Sequence, residues 1–196
     1  DLDVNNNPAN PVIGTRSFGS DPARVAELGA AFIAGMQARG VMAVGKHFPG
    51  HGDTAIDSHV GLPVVAHDRA RLEAVEFVPF RRAMASGVTG IMSAHIAFPA
   101  IDPTPGLPAT LSAKVLTGLL REEMGYDGLI FTDSLIMGAL VNEGRSIPQA
   151  AAAALMLYYF TELLLANTKQ DFTGLCMAMF AALAVPYFLS AIPRIL

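Results

Sequence analysis

Residues 46–59, KHFPGHGDTAIDSH, concentrate side chains that are able to do acid–base chemistry. They include three His, two Asp and one Lys, and Gly and Pro residues interrupt the backbone among them. The preceding run 41–44, VMAV, is apolar and typical of a buried strand. The sequence therefore predicts a strand over 41–45 that ends in a loop dense with titratable groups. Rigid scaffolds commonly carry their chemistry in such loops.

Asp57 and His59 stand two residues apart in this predicted loop. An Asp that accepts a hydrogen bond from one imidazole nitrogen fixes the tautomer and leaves the other nitrogen for proton transfer. A turn-forming Asp next to an ordinary loop His has the same spacing, so the spacing alone leaves both interpretations open.

Several other residues are candidates for ligand binding, catalysis or metal binding because of their residue type and their position in the chain. Lys46 and Arg16 stand beside turns, where each is either a donor to a polar ligand such as a sugar hydroxyl or a solvated charge. Asp133 follows the apolar run GLIFT and is either a nucleophile or base at a strand end or the cap of the next segment. A loop metal site is a further alternative, although no His pair has the spacing of a known zinc signature. Its candidate ligands are His47, His51, Asp53, Asp57 and His59.

Strand and helix patterns alternate along the chain around these residues. Strands are predicted over 41–45, 88–94 and 128–132. Helices are predicted from the Ser20-Asp21-Pro22 start signal to about residue 40, over 68–86 with a kink or split at Pro79, and over 113–124 behind a Ser112 cap. Such alternation favours an α/β fold with a parallel sheet, whose active site lies at the carboxyl ends of the strands. Lys46-His47, His95 and Asp133 follow the three predicted strands.

Composition narrows the class of protein. The 196 residues are 52% hydrophobic and 15% charged, with a net charge of -4, which gives no electrostatic case for binding nucleic acid. The single Cys176 excludes an internal disulfide and a Cys-based zinc site.

The opening DLDVNNNP is not a signal peptide, so a cytoplasmic location is the default expectation. The same opening suggests the tail of a strand followed by a loop, residues 1–19.

The last part of the chain has a different character. Residues 150–166 are nearly all apolar, and residues 172–192 contain no charged side chain, a length sufficient to span a bilayer. We expect two regions, a catalytic domain over 1–145 and an apolar helical segment over 146–196. The segment either completes the fold, with a strand at 163–165 and a buried final helix, or associates with a membrane.

The motif KHFPGHG-x-x-x-x-DSH, residues 46–59, resembles the signature of the family 3 glycoside hydrolases, in particular the β-N-acetylhexosaminidases of bacterial cell-wall recycling. Residues 1–22, DLDVNNNPANPVIGTRSFGSDP, resemble the family's loop after its third strand. GLIFTDSLIMGAL, residues 128–140, resembles the segment that holds the nucleophile. The resemblance runs in collinear order over roughly residues 1–140.

The resemblance implies a (β/α)8 TIM-type barrel and retaining hydrolysis of terminal β-linked N-acetylglucosamine from peptidoglycan-type fragments. It implies that Asp133 is the nucleophile and that His59 is the general acid/base, oriented by Asp57. Substrate binding is then expected from Arg16, Lys46 and His47, and neither a metal nor an organic cofactor is expected.

The chain also departs from the family pattern. The resemblance implies that the first barrel strands and two sugar-binding positions would precede its opening, and residues 151–193 are more apolar than the resemblance implies. We therefore expect a partial barrel with missing N-terminal strands and weak activity or none. The alternatives are another exo-glycosidase of the family such as a β-glucosidase, phosphate in place of water as the acceptor, a non-catalytic membrane-associated protein, and a His/Asp metal hydrolase.

Overall fold

The computed structural model describes the backbone of residues 1–168 and the side-chain surroundings of residues 1–157. The chain divides into two compact units, Asp1–Ile147 and Pro148–Leu196. The predicted division into a catalytic domain over 1–145 and an apolar segment over 146–196 stays a prediction.

The first unit is built on a parallel sheet of three strands in the order β1 (Val44–Phe48), β2 (Gly90–Ser93) and β3 (Leu129–Thr132). This pairing confirms the prediction of an α/β fold with a parallel sheet. Ser93 lies opposite Phe48 on one side and Thr132 on the other, so the three strands end level with one another. Side chains at and just beyond these ends therefore meet at one edge of the sheet.

Strand β1 begins three residues later than predicted, and it contains Lys46 and His47 instead of ending before them. The prediction followed the apolar run, but Val41, Met42 and Val44 are exposed. Hydrogen bonding sets the strand, because its register with β2 continues through Phe48, with a shift between Gly45 and Phe48. The peptide bonds Lys46–His47 and Phe48–Pro49 are cis.

The opening residues lie against β1 without forming a strand of their own. Leu2 N donates to Lys46 O at 2.6 Å, and Leu2 and Val4 are buried. The predicted strand tail is therefore not a strand, although Leu2 is hydrogen-bonded to β1.

The helices of the first unit begin and end close to the predicted positions. They are α1 (Pro22–Gln37), α2 (Arg69–Ala74), α3 (Phe77–Ala85), a π-helical segment (Lys114–Glu123) and the short α4 (Gly138–Val141). Turns of 3₁₀ helix occur at Gly14–Arg16 and Ala109–Leu111.

The two side chains that the sequence predicts as helix caps each accept a hydrogen bond from a backbone N–H at the start of the helix. Asp21 accepts a hydrogen bond from Arg24 N at 2.8 Å, and Ser112 Oγ accepts one from Val115 N at 3.2 Å. The predicted helix 68–86 is split, but the break lies at Val75 and Glu76, not at Pro79. Pro79 instead occupies the first turn of α3, where a missing N–H costs no helical hydrogen bond.

The core between the sheet and the helices is aromatic and aliphatic. Phe48 from β1 meets Phe80 from α3 edge to face, with ring centroids 5.2 Å apart. Both rings are fully buried, as are Leu72, Ile91 and Leu120. This packing fixes the carboxyl end of β1, and with it the start of the loop that carries the predicted chemistry.

Helix α5, Ile147–Thr168, accounts for the described part of the second unit. The predicted strand at residues 163–165 is wrong, because these residues lie within α5. Among residues 1–168, no helix is both long enough and apolar enough to cross a bilayer. The apolar run 172–192 lies outside the described residues, so that part of the membrane prediction stays a prediction.

Candidate active site

Asp133 stands directly after β3 and faces His47 of β1 across the end of the sheet. The distance from His47 Nε2 to Asp133 Oδ2 is 3.9 Å. Ser134 N donates to the other carboxylate oxygen, Oδ1, at 2.7 Å, and the side chain of Asp133 is partly exposed. The level strand ends thus bring together two residues that the sequence predicts in the site, 86 positions apart in the chain.

His47 is held on its other side by Asp3. His47 Nδ1 lies 2.8 Å from Asp3 Oδ2, and the backbone N–H groups of His47 and His51 also donate to this carboxylate. Asp3 is fully buried. Burial raises the pKa of Asp3, but its interaction with His47 and the hydrogen bonds from His47 and His51 outweigh burial and hold that pKa below its usual value. Asp3 is therefore an ionised acceptor that orients the His47 ring.

Sequence reasoning missed Asp3. It appeared only as an acid alternating with Leu2 and Val4 in a strand-like opening. That alternation contained a usable signal, since an acid within a buried segment needs partners.

Asp57 and His59 form a hydrogen-bonded pair in the loop between β1 and α2. Asp57 Oδ1 lies 2.7 Å from His59 Nδ1 and also accepts from His59 N at 2.9 Å. The pair is open to solvent, with side-chain exposures of 64% for His59 and 31% for Asp57. Because Nδ1 is engaged, Nε2 is the nitrogen available for proton transfer.

The ionised form of Asp57 is favoured by the same contacts. Partial burial raises the pKa of Asp57, but the backbone and ring hydrogen bonds from His59 exceed that effect and lower its pKa from the usual value. The carboxylate can therefore accept and hold the hydrogen bond from His59 Nδ1.

His51 supports the interior of this loop. Its Nδ1 lies 2.7 Å from Thr54 Oγ1 and its Nε2 lies 3.0 Å from Oγ of Ser58, the residue between Asp57 and His59. Burial lowers the pKa of His51, which favours the neutral ring. Both ring nitrogens are thus occupied by hydroxyl groups, which does not favour a role as a metal ligand.

Lys46 and Arg16 come together around Asp1, which the sequence did not predict in the site. Arg16 Nη1 lies 3.2 Å from Asp1 Oδ2, and Lys46 Nζ lies 4.0 Å from Asp1 Oδ1. Both basic side chains remain partly exposed, and Lys46 is adjacent to His47 on β1. The two cations can therefore donate to a polar ligand at this edge of the sheet.

His95 follows β2 and has a supporting position. It is buried, its Nδ1 lies 2.8 Å from Thr110 Oγ1, and its Nε2 donates to Ser134 O at 3.0 Å. Burial lowers the pKa of His95 and favours the neutral ring. His95 thus fixes the backbone next to Asp133 and has no nitrogen left for a ligand.

Within the part of the chain that the structure describes, two groups have metal-ligand geometry. They are Asp1, Asp3 and His47, and Asp53, His67 and Glu76. Neither is the five-residue set considered from sequence. In the second group Arg71 binds Glu76 at 2.6 Å and lies 3.5 Å from Asp53, so a guanidinium already supplies the cation. In the first, Asp3 is saturated by hydrogen-bond donors.

Comparison with known proteins gives evidence on the family of the chain that does not depend on the geometry of the site. Residues 2–173 match the profile of the glycosyl hydrolase family 3 N terminal domain. The chain is 46% identical to a beta-hexosaminidase of Alkalilimnicola ehrlichii over 144 residues, which are 74% of this chain and 40% of that protein.

Two solved structures are also similar. One is a glycoside hydrolase family 3 beta-N-acetylglucosaminidase from Paenibacillus sp. str. FPU-7, with a TM-score of 0.78, 42% identity, and coverage of 95% of this chain and 38% of that one. The other is NagZ from Neisseria gonorrhoeae in complex with N-trifluoroacetyl-D-glucosamine, with a TM-score of 0.68, 36% identity, and coverage of 80% and 43%. The chain thus spans about two-fifths of the length of these relatives.

Proposed function

The chain belongs to glycosyl hydrolase family 3, and we propose that it carries the reacting groups of a retaining exo-glycosidase that hydrolyses terminal β-linked N-acetylglucosamine. One observation carries the proposal: a partly exposed carboxylate, Asp133, stands at a strand end, and the segment that follows it is hydrogen-bonded to the loop that presents the pair Asp57–His59. A nucleophilic carboxylate and a separate proton donor are what a double-displacement glycosidase requires.

In the first step Asp133 attacks the anomeric carbon of the bound sugar. A bond forms between a carboxylate oxygen and that carbon while the bond to the leaving oxygen breaks, and His59 Nε2–H gives its proton to that oxygen. Asp57 accepts the hydrogen bond from Nδ1 throughout, which keeps the ring in the required tautomer.

In the second step His59 removes a proton from water, and the water oxygen attacks the anomeric carbon. The bond to Asp133 breaks, its carboxylate is released, and the sugar leaves with its original configuration after two inversions. Neither step requires a metal or an organic cofactor. If phosphate were the acceptor, the product would be the sugar 1-phosphate instead of the free sugar.

We assign sugar binding to three side chains: Lys46 and His47 of β1, and Arg16, which shares Asp1 with Lys46. Lys46 and Arg16 can donate to hydroxyl or N-acetyl oxygens, and His47 is held rigid by Asp3. The complex of the Neisseria NagZ with N-trifluoroacetyl-D-glucosamine supports an N-acylated glucosamine as the sugar. Peptidoglycan-type fragments are the proposed source, and the single cysteine is consistent with a cytoplasmic location.

The test is release of nitrophenol from its β-N-acetylglucosaminide by the protein and its variants. Asp133→Ala should abolish turnover, and His59→Ala should lower it about 10²- to 10⁴-fold, the usual contribution of general acid–base catalysis. Glu27→Ala, on the exposed face of α1, is the control and should match the parent.

Two further measurements make the test specific. Labelling with a slow fluorinated N-acetylglucosaminyl fluoride should attach the sugar to Asp133, and analysis of the product with and without phosphate identifies the acceptor. An Asp133→Ala variant with parental activity, or a label on another residue, would overturn the assignment.

A further inference from the structure

The loop segment that carries the catalytic pair is fastened to the start of α4. Three consecutive carbonyl oxygens of the loop, those of residues 58–60, accept hydrogen bonds from this short helix and the residue after it. The pairs are Ala139 N with Ser58 O at 3.0 Å, Gly138 N with His59 O at 3.0 Å, and Asn142 Nδ2 with Val60 O at 2.7 Å. The backbone on both sides of His59 is therefore bound to one element.

Gly138 makes this close approach possible. A Cβ atom at position 138 would lie 2.6 Å from His59 O and 2.7 Å from Val60 O. Both neighbours are backbone atoms, so no change of side-chain rotamer would relieve the contact. Any other residue here would push the loop and the helix apart.

The same helix is closely tied to Asp133. Only residues 134–137 separate Asp133 from Gly138, and they form a turn in which Met137 N donates to Ser134 O at 3.2 Å. His95 Nε2 donates to that same carbonyl at 3.0 Å, and Met137 is buried. The connection between the carboxylate and the helix is thus short and fixed.

We propose that Gly138 and Asn142 are positioning residues, which hold the loop bearing His59 in a fixed relation to Asp133. The inference rests on the proposed function, in which one group must protonate the leaving oxygen while the other attacks the adjacent carbon. A proton donor works only within hydrogen-bond reach, and a displacement of about 1 Å can cost about 10²-fold in rate.

The test uses Gly138→Ala, which forces the loop away, and Asn142→Asp, which keeps the side-chain shape but removes the donor to Val60. Gly35→Ala is the matched control, because Gly35 lies in α1 and an added Cβ there meets no atom within 4 Å. All three substitutions are made in the same 196-residue chain that is used in the activity assay.

The first readout is the dependence of kcat/KM on the leaving group. An aryl N-acetylglucosaminide with dinitrophenol as its leaving group hardly needs a proton, whereas one with phenol does. Gly138→Ala should lose at least about tenfold more activity on the phenyl substrate than on the dinitrophenyl substrate. Asn142→Asp should lose about fivefold more activity on the phenyl substrate than on the dinitrophenyl substrate. That ratio corresponds to the free energy of about one hydrogen bond. Equal losses on both substrates would indicate a merely structural role and overturn the proposal.

The second readout does not depend on activity. The amides of Gly138 and Ala139 donate to the loop, so hydrogen exchange at these amides reports docking directly. Asn142→Asp should speed their exchange about fivefold or more, while Gly35→Ala leaves it unchanged. Parental exchange rates in Asn142→Asp would overturn the proposal. If the parent showed no glycosidase activity, the proposed function would fail, and the exchange rates alone would decide whether the loop is docked.

Discussion

Replacement of Asp3 tests the reasoning about the site most sharply, because one buried carboxylate organises both the strand end and the loop. It accepts hydrogen bonds from His47 N at 3.2 Å, from His51 N at 2.6 Å and from the His47 ring at 2.8 Å. Asp3→Ala would leave these three donors without their acceptor in a buried environment. Asp3→Asn keeps the shape and one acceptor oxygen, but it removes the charge and places an NH₂ group on the other branch.

The expected loss in the free energy of unfolding follows from the number of buried donors that lose their acceptor. An unsatisfied buried donor costs about 1–3 kcal/mol, so Asp3→Ala should cost about 3–9 kcal/mol. That is comparable with the entire stability of a domain, about 5–15 kcal/mol. Asp3→Asn should cost about 1.5–3 kcal/mol, the usual value of a hydrogen bond to a charged group.

The cost of Asp3→Asn should also depend on pH, with a sign fixed by the structure. The pKa of Asp3 in the folded protein lies below its unfolded value of 3.8, so the folded state favours the ionised form. The carboxylate therefore contributes its stability above about pH 3.8, and the contribution is lost as the pH falls from there through the folded-state pKa. The parent and Asp3→Asn should differ most at pH 7 and converge towards pH 3.

The assay is urea unfolding followed by circular dichroism at both pH values. Asp21→Asn is the control, because Asp21 caps α1 and asparagine caps a helix equally well. If Asp3→Asn cost no more than this control, or if its cost were the same at pH 7 and pH 3, the account of Asp3 as an ionised organising group would be refuted.

Two further predictions concern residues outside the proposed catalytic pair. Titration of Asp102 by NMR should give a pKa of about 2, because hydrogen bonds from Ser112 and Thr104 outweigh the opposing effect of burial, and Ser112→Ala should raise that pKa. A pKa of Asp102 near 3.8 in the parent would contradict this prediction. Asp53→Ala removes the 2.6 Å contact to His67 that joins the two ends of the loop. Since the pair is partly exposed, the free energy of unfolding should fall by less than about 1 kcal/mol, while protease cleavage within residues 54–66 should become several times faster. Unchanged cleavage would show that this contact does not restrain the loop.

The sequence predicted the features of the fold that depend on local pattern. The alternation of strands and helices, the cap at Asp21 and the strand-end position of Asp133 follow from residue type and short spacing. The bounds of β1 did not, because its hydrogen bonds to β2 override the apolar run at residues 41–44. The role of Asp3 depends on partners 44 and 48 positions away, and that of Asn142 on one 82 positions away. No local pattern contains such contacts, and Gly138 looks like any other glycine until the loop carbonyls appear beside it.

Two of the Asp–His pairs, Asp3–His47 and Asp57–His59, have nearly equal hydrogen-bond lengths but differ in burial, and the difference suits them to different proposed roles. Asp3–His47 at 2.8 Å is enclosed, so its imidazole has one orientation and lies next to Asp133. Asp57–His59 at 2.7 Å is open to solvent, so its ring can exchange protons with a substrate or with water. A buried pair suits binding, because a rigid ring loses little entropy on contact with a ligand. An exposed pair suits proton transfer, which requires access to both the leaving group and the water. Under the proposed mechanism, exchanging the two environments would therefore remove both sugar binding and proton transfer, although both Asp–His hydrogen bonds would still be present.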